Sequence, residues 1–256
     1  MTWLPIYLQG TLAMHIMFLS PEIHPFIRVG GLAEVAHDLP LALSARGHRV
    51  EIVAPKCKMS PELEAVLEPV DLTLEVPVSW RRHRAEVFKH QLNPAVTVYF
   101  ISHEHLFDRE GLYGNSFGDY EDNAERFIFY SRASIELALA LGWKLDVIHA
   151  NDWTTGLVPL YLKSIYAEEP SLSKVGNLMA IHNLGAQGTF WHYDMPLTGL
   201  GWEYFTPQGI EFYGKINFLK AGLVFADVIS TVSQTYAREI LGKEQGCGLE
   251  GVLGDR

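Results

Sequence analysis

The feature that most constrains this fold is a strand, a glycine-containing loop, a helix and a second strand near the N-terminus. His15–Ser20 is a short apolar strand, and segment 21–31 holds two prolines and two adjacent glycines, which excludes regular structure there. Apolar residues then recur at helical spacing from Leu32 to Leu43, and Val50–Ala54 forms the next apolar run. Two parallel strands joined by a helix form a right-handed crossover, so the sequence predicts an α/β sheet.

The rest of the chain continues this alternation, with one interruption. Three consecutive strands are predicted over Leu72–Val78, Ala85–Leu92 and Ala95–Ser102 with no helix between them, which indicates an antiparallel insertion at the sheet edge. Pro40 is expected to kink or shorten the first helix. Later strands are predicted at Leu145–His149, Leu178–His182 and Ala226–Val232, and later helices at Asp119–Leu141 (with Asp119 as N-cap), Thr154–Tyr166, Gly209–Leu223 and Gln234–Leu241. The pattern predicts a doubly wound, mainly parallel, Rossmann-like α/β sheet.

Composition and charge restrict the classes of function. The 256 residues carry a formal net charge of -10, which is unsuited to nucleic acid or to an anionic membrane because phosphate contacts need a surplus of Lys and Arg. The basic cluster Arg81–Arg84 is interpreted as a solvated turn between two strands. Two cysteines, Cys57 and Cys247, exclude a disulfide scaffold and fit a reducing cytosol. No apolar run reaches the length of a transmembrane helix, so we expect a cytoplasmic protein.

The domain is predicted to span residues 14–256. Residues 1–13 contain no Lys or Arg, so they lack the charged start of a signal peptide. They show neither helical nor strand periodicity, and we expect a poorly ordered extension.

Polar and ionisable residues follow four predicted strands at the point where each strand ends. They are Glu22 with Arg28–Gly31, then His149–Trp153, His182–Leu184 and Thr231–Ser233. In open α/β sheets, ligands bind beyond the carboxyl ends of the strands. The sequence therefore predicts a polar cleft at this edge of the sheet.

The Gly30–Gly31 loop has two interpretations. Glycines allow a ligand to approach the backbone, and the N-terminus of the following helix offers N–H groups to an anion. The loop lacks the G-x-G-x-x-G pattern and the next strand runs into Pro55–Lys56 rather than a carboxylate, which disfavours a dinucleotide but leaves another nucleotide's phosphate open. The alternative is a tight turn that needs positive φ.

Asp152 and His182 also have two interpretations. His and Asn side chains suit hydroxyl-rich sugars because both donate and accept hydrogen bonds, and a carboxylate such as Asp152 accepts from a hydroxyl or stabilises positive charge. The alternative is that Asp152 caps a helix beginning near Thr154 and that His182 is structural. A metal is disfavoured, because His103–His105 holds two histidines without a third ligand at a recognisable spacing.

Seven motifs occur together in this chain. They are Ser20-Pro21-Glu22 with Pro25; Arg28–Val35; Asp108–Gly114 followed by Asp119-Tyr120 and Asp122–Phe127; His149–Trp153; Ile181–Gly188; Phe212–Gly222; and Thr231-Val232-Ser233 with Tyr236, Ala237, Glu239 and Ile240. In this combination, the chain resembles the N-terminal domain of bacterial glycogen synthases and plant starch synthases. The resemblance runs from about Met14 to the last residue.

The resemblance implies the two-domain GT-B glycosyltransferase fold, of which this chain is the N-terminal, acceptor-side half without the C-terminal donor-binding domain. It implies transfer of glucose from ADP-glucose to the non-reducing end of an α-1,4-glucan, with retention of configuration and with no metal or other cofactor. The half alone is then expected to be inactive. The alternatives are a non-catalytic glucan-binding module of the same fold, or another GT-B nucleotide-sugar enzyme.

The same resemblance implies roles for individual residues. His182 and Asp152 are expected to be catalytic, Arg28, Gly30 and Gly31 to bind the donor, and Tyr113, Asn183 and Glu22 to contact the sugar or the acceptor. Four positions depart from the family pattern: Arg28 replaces Lys, Glu34 replaces Asp, Asn151 replaces the His before the Asp, and Gly185 replaces a common Ala. At Arg28 the charge is kept, but a planar guanidinium differs from an ammonium in reach and geometry.

Overall fold

An eight-stranded sheet runs through the molecule in a computed structural model that describes residues 12–256. The strands are β1 (His15–Leu19), β2 (Arg49–Pro55), β3 (Glu68–Val78), β4 (Arg81–Asn93), β5 (Val96–Ser102), β6 (Gly114–Asn115), β7 (Gly118–Asp119), β8 (Val147–Asn151), β9 (Gly176–Ile181), β10 (Thr189–Trp191), β11 (Glu211–Phe212), β12 (Lys215–Asn217) and β13 (Val228–Thr231). The helices are α1 (Leu32–Ser44), α2 (Pro61–Glu64), α3 (Glu104–Phe107), α4 (Asn123–Ala140), α5 (Leu157–Leu162), α6 (Phe218–Phe225), α7 (Gln234–Glu239) and α8 (Glu250–Gly254), with 3-10 turns at Trp153–Thr155, His192–Thr198 and Trp202–Tyr204. Apart from its last two residues, the predicted extension 1–13 lies outside the described residues.

The strand order of the main sheet is β13-β9-β8-β1-β2-β5-β4-β3. All neighbours from β13 to β5 are parallel, whereas β4 pairs antiparallel with both β5 and β3. The predicted mainly parallel sheet with an antiparallel edge insertion is therefore confirmed. The chain winds outward in one direction from β1 to β5 and in the other from β8 to β13, so the topological switch point lies between β1 and β8.

The predicted helix over 209–223 is wrong in its first half. β11 and β12 form a hairpin whose two loop residues, Tyr213 and Gly214, both have positive φ (50° and 77°), as in a type I′ turn. α6 begins only at Phe218, where the Asn217 side chain accepts a hydrogen bond from the amide of Lys220 and caps the helix.

Other predicted boundaries are also corrected. Asp119 lies in β7, and α4 starts at Asn123, so Asp119 is not its N-cap. The predicted helix at 154–166 is a 3-10 turn followed by the short α5, and α1 continues through Pro40 to Ser44 without being shortened. The basic cluster Arg81–Arg84 lies in β4 rather than in a turn, with ion pairs from Arg81 to Glu125 and from Arg84 to Glu75.

Two glycines allow α6 to pack closely against the segment that follows β8. A Cβ atom at Gly156 would lie 2.1 Å from the carbonyl oxygen of Phe218, and one at Gly222 would lie 3.1 Å from Cα of Gly156. This close packing holds the chain after β8 in place at the carboxyl edge of the sheet. Within the described residues, no helix combines the length and apolar character that crossing a membrane would require.

Replacing Gly156 with alanine is expected to lower the free energy of unfolding by about 1–3 kcal/mol, because the new methyl group collides with backbone that cannot move aside alone. Chemical denaturation of the 256-residue chain measures the change. Gly251→Ala is the matched control, since a Cβ there meets nothing within 4 Å and the residue lies in α8. Equal stabilities of the two variants would contradict the close-packing account.

Candidate functional site

A cleft of about 870 Å³ lies beyond the carboxyl ends of β1, β8 and β9, at the switch point of the sheet. Of the eight predicted site residues, all but Arg28 line it: Glu22, Gly30, Gly31, Tyr113, Asp152, His182 and Asn183. Residues from segments more than a hundred positions apart therefore meet where the strand-end pattern predicted a cleft. Their individual roles toward a ligand stay predictions.

Arg28 lies outside the lining of the cleft. Its side chain is 67% exposed, and its Nε is 2.7 Å from a carboxylate oxygen of Glu34. This ion pair joins two of the positions that depart from the family pattern. The predicted contact between Arg28 and a donor requires this side chain to leave Glu34 and reach over the loop.

Glu22 is buried and anchors the glycine loop. Its Oε2 accepts hydrogen bonds from the amides of Val29 (2.9 Å) and Gly30 (2.6 Å), and its Oε1 accepts one from the hydroxyl of Tyr113 (2.9 Å). Burial and the neighbouring carboxylate raise the pKa of Tyr113 well above its ordinary value, so this hydroxyl keeps its proton and donates. The sequence predicted a sugar contact for Glu22, but both carboxylate oxygens are engaged by protein donors.

The glycine loop is not a turn that requires positive φ. Neither Gly30 nor Gly31 has a positive φ, and Gly31 adopts φ -70° and ψ -13° as the residue before α1. That alternative is therefore wrong. The Gly30 amide points inward to Glu22, whereas the amides of Gly31 and Leu32 donate to no acceptor in residues 12–256. Two N–H groups at the start of a 13-residue helix are left for an anion.

Asp152 joins the ends of β8 and β9. Its Oδ1 accepts hydrogen bonds from the amides of His182 (2.8 Å) and Asn183 (3.3 Å), and its own amide donates to the carbonyl of Ala180. Its side chain makes no capping bond to the 3-10 turn that follows, so the helix-cap interpretation is wrong. Asp152 has φ 55° and ψ -175°, a combination that is strained for any residue with a Cβ and that persists only when its surroundings hold it.

One oxygen of Asp152 remains for a ligand. Burial raises the pKa of Asp152, and the amide hydrogen bonds from His182 and Asn183 oppose this by stabilising the carboxylate. Oδ2 accepts no hydrogen bond from the described protein, and Asp152 lines the cleft. A carboxylate held in this way can accept from a hydroxyl or face a developing positive charge.

His182 is a neutral imidazole near pH 7. Burial lowers its pKa, and this outweighs the opposing effects of Asp152 and Glu22. Its Nε2 lies 2.9 Å from Oδ1 of Asn151, a fully buried residue whose Nδ2 donates to the carbonyl of Leu19. The sequence analysis placed Asn151 among the polar residues at the end of a predicted strand and noted it as a departure from the family pattern. It assigned Asn151 no contact with His182.

Aromatic rings form the apolar side of the site. The Trp153 ring packs against Phe127, Tyr113 and Phe190 at centroid distances of 4.7, 6.0 and 5.8 Å. Gly188 has φ 58°, and a Cβ there would lie 2.2 Å from the Trp153 ring, so glycine is required beneath it. Polar groups beside an aromatic surface are the combination that suits the hydroxyls and the C–H faces of a sugar.

Both ring nitrogens of His103, one of the two histidines weighed as metal ligands, are engaged by neighbouring protein groups. Nδ1 of His103 accepts a hydrogen bond from the amide of Leu106, and its Nε2 lies 3.0 Å from Nδ1 of His83. Burial and the nearby His83 lower the pKa of His103 to about 4. In the part of the chain that the structure describes, no three His, Cys, Asp or Glu side chains are grouped so as to hold a metal ion.

Comparison with known proteins gives one family. The family model of the starch synthase catalytic domain matches residues 15–255. The chain is 40% identical to a glycogen synthase of Rhodopirellula baltica over 94% of its own length and 49% of that protein. It is 43% identical to a glycogen synthase of Anaeromyxobacter over 95% of its length and 50% of that protein. These matches confirm the resemblance drawn from the motifs.

A solved structure agrees with the sequence comparison. The catalytic domain of starch synthase IV from Arabidopsis thaliana, bound to ADP and acarbose, superposes with a TM-score of 0.86 at 29% identity. The match covers 95% of this chain and 50% of that one. The chain thus spans about half the length of the relatives it matches.

Substitution of Glu22 tests whether it anchors the glycine loop. Glu22→Ala leaves the amides of Val29 and Gly30 and the Tyr113 hydroxyl without their acceptor, and we expect a loss of about 1–3 kcal/mol in unfolding free energy. Amide hydrogen exchange at Val29 and Gly30 should accelerate. Glu22→Gln is the matched control, since its remaining oxygen still accepts from both amides. Unchanged exchange at Val29 and Gly30 in the alanine variant would refute the anchor.

Proposed function

The chain belongs to the starch synthase catalytic domain family, and from this premise we propose that it forms the acceptor-side half of a retaining glucosyltransferase. The proposed donor is ADP-glucose, and the proposed acceptor is the non-reducing end of an α-1,4-glucan. Two findings support these substrates. The relatives that match over nearly the whole chain are named glycogen synthases, and the matching plant structure is bound to ADP and acarbose.

The observation that carries the proposal is the Asp152 carboxylate, which is held by two amides through one oxygen and borders the cleft with the other. In the proposed reaction the bond between glucose C1 and the ADP oxygen breaks, and a bond from C1 to an acceptor hydroxyl oxygen forms. ADP leaves with the electron pair, and the proton of the acceptor hydroxyl is released. Positive charge develops on the sugar ring in between, where a preorganised carboxylate stabilises it.

The uncharged groups of the cleft orient the sugar and add no charge. They are His182, Asn183 and the aromatic rings. Neutral imidazole and amide groups hydrogen-bond sugar hydroxyls, and the Trp153 ring offers an apolar wall beside them. In the proposed complex, the sugar lies between the Asp152 carboxylate and the Trp153 ring.

The departing ADP needs positive groups or N–H donors. In the proposed complex, the amides of Gly31 and Leu32 at the start of α1 serve that purpose, and Arg28 adds a positive charge once it leaves Glu34. We assign the remaining cations to the second half that the relatives possess. No step of the proposed transfer passes through a metal ion.

The direct test is Asp152→Asn in a protein that joins this chain to its donor-binding half. Asparagine still accepts from the amides of His182 and Asn183 and tolerates positive φ, but it removes the charge. The turnover number for transfer of radiolabelled glucose to glycogen should fall about 100-fold or more. The melting temperature should change little.

Two controls accompany this test. Asp71→Asn in the exposed part of β3 should leave turnover unchanged. The 256-residue chain alone should incorporate no glucose, since the proposed site needs charged groups from both halves. Near-normal turnover of Asp152→Asn, or robust incorporation by the isolated chain, would overturn the proposal.

A further inference from the structure

We propose that Asn151 is a positioning residue that fixes which nitrogen of His182 carries the proton, so that Nε2 is the donor and Nδ1 is the acceptor offered to a ligand. Asn151 is fully buried at the end of β8, one strand away from His182, which follows β9. Its side-chain amide lies between two backbone carbonyls and the imidazole of His182.

The orientation of the Asn151 amide follows from its neighbours. Its Nδ2 lies 2.8 Å from the carbonyl oxygen of Leu19 and 3.5 Å from that of His149. Both carbonyls can only accept hydrogen bonds, so the –NH₂ group of Asn151 must face them. A reversed amide would place its oxygen against the Leu19 carbonyl and leave the buried –NH₂ turned away from both acceptors.

The orientation of the amide then determines the state of the imidazole. Oδ1 of Asn151 lies 2.9 Å from Nε2 of His182 and can only accept, so Nε2 must carry the hydrogen. In a neutral imidazole the other nitrogen, Nδ1, then holds a lone pair. Within the described chain, Nδ1 of His182 has no hydrogen-bond partner, and the residue borders the cleft.

The neutral state itself comes from the surroundings of the ring. Burial lowers the pKa of His182, and this effect outweighs the opposing effects of the Asp152 and Glu22 carboxylates. The backbone of His182 is fixed separately, because its amide donates to Asp152. Ring position and ring tautomer are thus set by two different residues.

This arrangement defines the kind of ligand group that fits. Nδ1 of His182 and Oδ2 of Asp152 are two acceptors on residues that both line the cleft, so they match a pair of hydroxyl donors and disfavour a ligand that presents only acceptors. This part rests on the proposed function, in which the ligand is a sugar. The assignment of the tautomer does not.

The test uses the ligand-free 256-residue chain labelled uniformly with ¹³C and ¹⁵N. The ring signals of His182 are assigned through its own backbone by triple-resonance transfer, so no variant is needed for the assignment. At neutral pH we expect a protonated Nε2, an unprotonated Nδ1, and an Nε2 hydrogen that is visible because it exchanges slowly with water.

Two variants separate positioning from a general structural role. Asn151→Asp keeps an acceptor opposite Nε2, so the hydrogen should stay visible while the pKa of His182 rises by about one unit or more. Asn151→Leu removes the acceptor, so the hydrogen should exchange too fast to observe. Should the leucine variant not fold, the parent chain and the aspartate variant decide the question.

Three outcomes would overturn the proposal: a proton on Nδ1 in the parent chain, an unmoved His182 pKa in Asn151→Asp, or a slowly exchanging Nε2 hydrogen in a folded Asn151→Leu. Because no sugar is present, the result is independent of the glucosyltransferase proposal. If the chain shows the expected tautomer but never binds glucan, the result counts against the proposed function and leaves the tautomer assignment standing.

Discussion

The hydrogen bonds from the amides of His182 and Asn183 to the carboxylate of Asp152 are the contact on which the cleft depends. The regular pairing of β8 with β9 ends at Asn151 and Ala180, and beyond this point the Asp152 carboxylate continues the connection to the backbone that follows β9. Asp152 adopts a strained backbone conformation to do so. The strain is tolerated because the same turn is packed against α6 through Gly156.

A second carboxylate also accepts hydrogen bonds from loop amides, on the other side of the switch point. Glu22, just beyond β1, accepts from two amides of the glycine loop and from Tyr113, which belongs to a segment 91 residues later in the chain. Two carboxylates that bind backbone amides, the buried Glu22 and the half-buried Asp152, therefore connect four segments around one cleft. Groups held in this way do not have to reorganise when a ligand arrives, which is the condition for strong electrostatic stabilisation in a site.

The sheet and the place of the cleft could be predicted from the sequence because both follow from local patterns. Short apolar segments that predict strands alternate with segments of helical periodicity, and the carboxyl ends of parallel strands meet at one edge of the sheet. The hairpin at 211–217 was missed because its turn is marked only by Tyr213-Gly214 inside an otherwise helix-compatible stretch. Asp119 was misplaced as a cap because acidic residues crowd the region before α4, where Asp122 instead pairs with Arg109.

The contacts within the site could not be predicted, since they join distant segments. The anchoring role of Glu22 depends on where the loop amides of Val29 and Gly30 point, and residue types do not encode this. The role of Asn151 depends on the Leu19 carbonyl, 132 positions away. Sequence patterns identify which side chains reach the cleft, whereas their hydrogen-bond partners are a property of the packed structure.

The proposed glucan site is bounded by Asp152, His182 and the Trp153 ring, and protein hydrogen bonds and ring packing hold all three in place. The most direct measurement is a titration of the ¹⁵N-labelled 256-residue chain with maltoheptaose, followed by the backbone and indole resonances. The account predicts changes at His182, Asn183 and Trp153, with the exposed Trp80 at the far edge of the sheet unaffected. Changes confined to the exposed Trp191 and Trp202, with the cleft residues unmoved, would contradict it.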